Sequence, residues 1–195
     1  MIFGSKATFA IEVEVNNCFY DKFIGEGKFL VYINSIVYGL NENYATTFLC
    51  IMDDLRKFSK NSSNVNVDLR NYTAYEIAMC YYCQNYSEQD LSIYSDDLLR
   101  KSKKLEVWAP EAAFDDGSYL IQFDNNGKTR LVAFKSCSKE GICTVKKKSV
   151  SEITLDSNEF KKILSEVYLY LARFTNIAEG TISQSYKRFV PLEPF

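Results

Sequence analysis

Tyr119-Leu-Ile-Gln-Phe-Asp-Asn-Asn-Gly-Lys-Thr-Arg-Leu-Val-Ala-Phe134 decides the fold class. Two runs rich in β-branched and aromatic residues flank Asn126-Gly127, and Asn-Gly supplies the positive backbone angles of a tight turn, so the stretch predicts an antiparallel hairpin. On its C-terminal side Val150–Leu155 predicts a further strand. Asp156 with Glu159 then makes a capping-box-like start to a helix carrying Phe160, Ile163, Leu164, Val167, Leu171 and Phe174 on one face. From Asn176 the periodicity is lost, and the closing Pro191-Leu-Glu-Pro-Phe195 predicts an irregular segment over 176–195.

Towards the N-terminus, Met1–Val15 alternates. Phe9, Ile11, Val13 and Val15 share one face and Thr8, Glu12 and Glu14 the other, which predicts one half-buried, edge-like strand. Asn16–Gly27 reads as a hairpin connection, and Lys28–Tyr38 as one long strand or two short ones. Between Thr47 and Ser59 the positions Phe48, Ile51, Met52, Leu55 and Phe58 keep the spacing of a single helical face. A polar loop follows at Asn61–Asn66, then a short helix over Ala74–Gln84. Across 86–104, acidic Glu88, Asp90, Asp96 and Asp97 give way to basic Arg100, Lys101, Lys103 and Lys104, as in an exposed short helix or a turn-rich segment. Strands and helices mixed in this order predict one α+β domain spanning 1–195, an antiparallel sheet covered by helices on one side.

The chain has 195 residues, 14 Tyr, 14 Phe and no histidine. Lack of histidine removes the commonest general base and the commonest metal ligand, which weighs against an enzyme. A net charge of −2 argues against nucleic acid as the main partner. The runs Lys146-Lys-Lys148 and Lys187-Arg188 read as solvated faces. Six cysteines, with no signal segment at the start, predict free thiols in the cytoplasm. No apolar run approaches the roughly 18 residues that span a bilayer, so no membrane association is expected.

Cys80-Tyr-Tyr-Cys83 has the spacing of a zinc or redox half-site, and Cys137 with Cys143 would have to supply the other half. That second pair is too widely spaced for a zinc ribbon, so no metal and no cofactor is expected, and Cys80 and Cys83 read better as small buried residues. The segment Leu105–Gly117 gathers Glu106, Glu111, Asp115 and Asp116 around Trp108, the only tryptophan. Three readings stand: ordinary turn chemistry at Asp115-Asp116-Gly117, a carboxylate pair for acid–base work as in a hydrolase, or an acidic and aromatic patch that docks a basic protein.

Phe3-Gly4 and Phe9-Ala10-Ile11-Glu12, followed by Gly27–Asn34 and an amphipathic helix, resemble the start of the immunity-42 family of bacterial polymorphic-toxin systems. The resemblance implies a cytoplasmic, non-enzymatic protein that binds a toxin's C-terminal domain stoichiometrically and so protects against contact-dependent growth inhibition. The toxin could be a basic nuclease. The candidate partner-binding residues are then Asp96, Asp97, Glu111, Asp115 and Asp116, with Trp108 as aromatic anchor and Asp53-Asp54 as a further option. An adaptor for another protein and a carboxylate-dependent hydrolase are the competing readings.

Overall fold

A computed structural model describes residues 1–19, 24–43, 45–61, 67–86, 90–108, 113–139 and 142–174. The polar loop after Asn61 and the segment 176–195 therefore fall outside the described residues. The architecture is α+β, as the sequence predicts, with two antiparallel sheets in place of one.

The first sheet opens with a hairpin of β1 (Ile2–Gly4) and β2 (Phe9–Phe19), with Ile2 opposite Glu12. The stretch that reads as a single strand is thus folded back on itself. Gly4 makes the reversal possible by taking φ +90°, where a side chain is strained, and the Thr8 amide closes the turn on the Ser5 carbonyl at 3.0 Å. The expected connection after Val15 is instead more strand: β2 continues through a register shift at Val15/Asn17 to pair with β3 (Ile24–Ile33). Asn34 and Ser35, at φ 50° and 68°, then turn the chain into β4 (Ile36–Tyr38) on the edge of β3 away from β2, and β5 (Thr46–Thr47) pairs that same edge farther along. Lys28–Tyr38 is therefore two strands.

The second sheet runs β10 (Ser151–Asp156), β8 (Lys128–Lys139), β7 (Ser118–Asn125), β6 (Glu106–Trp108), with β9 (Ile142–Val145) continuing the β10 edge of β8. The β7–β8 turn lies at Asn126-Gly127, at φ 51° and 77°. Both faces of this sheet are covered. Leu120, Leu131 and Ala133 face a core shared with the first sheet, α1 (Phe48–Asn61) and α4 (Ser157–Ala172). Ile121, Phe123, Val132 and Phe134 face α2 (Ala74–Tyr86) and α3 (Asp96–Ser102). The unbroken apolar run Leu131–Phe134 is what two-sided burial requires, because successive strand residues point to opposite faces.

Helix α4 joins the two sheets, touching β1 and β2 of one and β8 and β10 of the other. It begins where Asp156 Oδ1 accepts from the Asn158 and Glu159 amides at 2.9 and 3.3 Å. A second stitch is Tyr38. Its hydroxyl, buried between the sheets, lies 2.6 Å from the Ser149 carbonyl and within hydrogen-bond reach of Ser151 Oγ, and burial pushes the phenol up to about 12.

On the outer face of the first sheet, Lys6 Nζ donates to Glu12 and lies 4.3 Å from the centre of the Tyr32 ring. The bond to Lys6 holds the Glu12 carboxyl below its usual range, and the bond to Glu12 raises Lys6. A carboxyl depressed in the folded state stabilises above its unfolded pKa and loses that contribution as pH falls through its folded value. Lys6→Met should therefore lower the melting temperature most near neutrality. The gap to the parent should narrow as melts are taken to acid pH, through the lowered range in which Glu12 takes up its proton. A gap that stays constant through that range would place the loss elsewhere.

Candidate functional site

Trp108 is not an exposed anchor. It sits on β6 at 1% exposure, donates from Nε1 to Gln122 Oε1 at 3.0 Å, and packs its ring 5.9 Å from that of Phe160. Its side chain projects into the shared core together with Leu120, its neighbour on β7, so a partner has no access to it. The expectation of Trp108 as a docking residue is corrected on that ground. Glu111 lies outside the described residues, as does the side chain of Glu106.

The carboxylates of Asp97 and Asp116 are already committed. Asp97, in the first turn of α3, accepts from Lys101 Nζ at 2.6 Å, Arg100 Nη2 at 3.0 Å and the Tyr72 hydroxyl at 3.1 Å. Lys101 and then Arg100 hold its carboxyl below the usual carboxylate range. The charge switch seen in the sequence thus closes on itself, helped by i,i+3 and i,i+4 spacing. Asp116 ties the turn before β7 to β8: Lys135 Nζ donates to Oδ2 at 2.6 Å and the Ser118 amide to Oδ1 at 3.1 Å. Asp96 and Asp115 are exposed, with no partner among the described residues. Asp53 and Asp54 are half-buried on α1.

These acidic pairs do not converge. Asp116 is held at Lys135, whereas Asp97 is linked through Tyr72 to Arg130, whose Nη2 donates to the Tyr72 carbonyl at 3.1 Å. Arg130 and Lys135 are both on β8, and five residues of strand separate them by about 17 Å. Paired carboxylates acting on one bond need far closer approach, within roughly 10 Å.

Arg130 organises the end of the molecule nearest Asp97. Its guanidinium donates to the Leu69 carbonyl at 3.0 Å as well as to Tyr72 and Glu152, and stands 5.4 Å from the centre of the Phe123 ring. It thereby pins the segment before α2 against the β7–β8 hairpin. At the other end of β8 lies a tyrosine cluster that the sequence reading missed. Tyr119 stacks on Phe134 at 5.0 Å, Tyr82 lies 5.4 Å from Tyr86, and Tyr86, half exposed, covers Tyr119 at 5.4 Å. The available signal was helical spacing from Tyr82 to Tyr86, hidden by ending the helix at Gln84.

Cys80 and Cys83 are buried on α2. Cys80 Sγ is 3.4 Å from Ser102 Oγ and Cys83 Sγ 4.0 Å from the Tyr94 hydroxyl, and burial pushes both thiols up. Among the described residues no three His, Cys, Asp or Glu side chains gather to hold a metal ion. Nor, among them, is any helix long and apolar enough to cross a membrane.

No curated protein matches the chain. Among solved structures the fold is similar to that of CdiI from Burkholderia dolosa AUO158. The TM-score is 0.57 at 14% identity, over 87% of this chain and 99% of that one. Residues 1–170, which include both sheets and nearly all of α4, match the sequence pattern of immunity protein 42, and the chain belongs to that family.

Proposed function

We propose that this protein neutralises a bacterial toxin by binding its C-terminal domain one to one in the cytoplasm, as the immunity partner of a contact-dependent inhibition system. The family match over residues 1–170 carries the reading. The shared fold with a CdiI protein supports the choice of system. Inhibition of this kind needs no chemistry from the chain itself, only a surface that covers the toxin's active site or its substrate path.

The end of the molecule around α3 is the best-equipped contact surface. Asp96 stands exposed beside the paired Asp97, and salt-bridged side chains surround them. Asp115, exposed in the turn before β7, is a second carboxylate away from that end. If the toxin is a nuclease with a basic face, Asp96 and Asp115 are the carboxylates free to meet it. Opposite charge at a contact rim acts chiefly on the rate of association.

The test is co-expression with the toxin domain encoded immediately beside this gene in the native genome. Growth should be restored and a one-to-one complex should co-purify. Asp96→Lys should slow association by about tenfold at low salt and leave the dissociation rate nearly unchanged. Arrested growth despite abundant folded protein would refute the proposed function for that toxin.

A further inference from the structure

Beside the tip of the β7–β8 hairpin a hollow of about 280 Å³ is lined by Leu69, Arg70, Phe123, Lys128, Arg130 and Thr154, among others. Its floor is apolar, with Leu69 fully buried and Phe123 at 3% exposure. Its rim is cationic. Asp68 engages Arg70 through Nε and Nη2 at 2.9 and 2.8 Å, leaving Arg70 Nη1 without a bond among the described residues. Glu152 neutralises Arg130, whose nitrogens are largely used on Glu152, Leu69 and Tyr72. Lys128 is exposed and has no partner among the described residues. Among the lining residues and their ion-pair partners, three cations meet two carboxylates and leave one positive charge over; Asp156, opposite Lys128 on β10, is turned to the Asn158 and Glu159 amides.

We propose that this hollow is the socket for an acidic side chain, glutamate or aspartate, of the toxin. The inference rests on the toxin-binding reading above and gives that contact a place and a chemistry. The volume is at the small end for a ligand pocket, where small-molecule sites run from about 300 to 1,000 Å³, so one side chain fits it better than a nucleotide. A carboxylate brings the single negative charge that Lys128 leaves uncompensated, and it reaches Arg70 Nη1 through charge-assisted bonds while its methylenes lie on Phe123 and Leu69. A phosphate dianion would meet only one spare charge here, because Arg130 is already paired. Tyr72 links the socket to α3, where Asp96 is exposed: it touches Arg130 through its carbonyl and Asp97 through its hydroxyl. Neighbouring sites of opposite polarity then fix the orientation of the partner.

Two measurements on the full-length chain test the socket. In the first, the isotopically labelled protein is titrated with N-acetylglutamate methylamide, with the glutamine analogue, and with inorganic phosphate, following backbone amide resonances. The glutamate compound should give saturable shifts at Leu69, Arg70, Phe123, Lys128 and Thr154, about tenfold weaker with the neutral analogue or phosphate and absent in Lys128→Glu. No saturable shift, or an equal response to phosphate, would overturn the assignment. In the second, Lys128→Glu should weaken the complex with the co-expressed toxin domain by about tenfold or more, while Lys128→Arg retains binding. An unchanged affinity for Lys128→Glu would remove the socket and leave toxin binding intact. Failure of the parent protein to bind that domain would instead remove the toxin assignment, with the titration still deciding whether the hollow takes a carboxylate.

Discussion

Gly27→Ala is expected to destabilise the fold by about 3 kcal/mol, the upper end of what inserting carbon atoms into a packed core usually costs. Gly27 lies on β3 between Val15 of β2 and Thr46 of β5. A Cβ built there would stand 1.8 Å from the Glu14 carbonyl oxygen and 2.8 Å from Cζ of Phe48. The second contact could be relieved by turning a ring, although Phe48 is fully buried. The first cannot, because the oxygen belongs to the strand itself. Relief would have to separate β2 from β3 where their register already shifts at Val15/Asn17. Urea denaturation with an unchanged slope and a lowered midpoint would report the loss as one of stability. A midpoint within error of the parent would mean that β2 and β3 have more slack there than the close approach allows. The cause is proximity alone, which separates Gly27 from Gly127, where the surroundings are open and the positive φ is the constraint.

Local signals in the sequence located most elements, and the failures share a cause. The β7–β8 hairpin was legible because Asn126-Gly127 states its turn in the chain itself, and α4 because Asp156 and Glu159 mark its start ahead of a regular apolar face. Gly4 carried a comparable signal for the β1–β2 reversal, but the regular alternation around it suggested one continuous strand. β6 and β9 span three and four residues and leave no periodic trace. Alternation says which side of a strand is buried. It does not say against what, so the division into two sheets with α4 touching both could not be read. The site was obscured in the same way. The pairing of Asp97 with Lys101 is a spacing along one helix and was visible as a charge switch. Asp116 meets Lys135 only after β7 folds back on β8, and Trp108 looked like an anchor until Phe160, fifty-two positions later, covered it. The hollow is assembled from the segment before α2, the hairpin and β10, which no single window of sequence contains.

Phe160→Ala is expected to cost about 3–5 kcal/mol, because a large buried ring is removed from a site whose neighbours are held by different elements and cannot collapse together. Phe160 is fully buried one turn into α4, with its ring 5.5 Å from Phe9 of β2 and 5.9 Å from Trp108 of β6. The first of those partners belongs to one sheet and the second to the other, so the cavity opens along the line where the sheets meet. The melting temperature should fall by roughly 10 °C for a chain of this size. None of the residues proposed to meet the toxin touches this ring, which gives the loss a distinctive form in the growth assay. Protection by Phe160→Ala should fail near the lowered melting temperature and return on cooling, with affinity for the toxin domain unchanged in the cold. Asp96→Lys and Lys128→Glu should show the reverse, a normal melt with weakened association or affinity at every temperature. If Phe160→Ala weakened cold binding as much as Lys128→Glu does, the contact surface would have to include the α4 side of the molecule, and the assignment to the α3 end would fall.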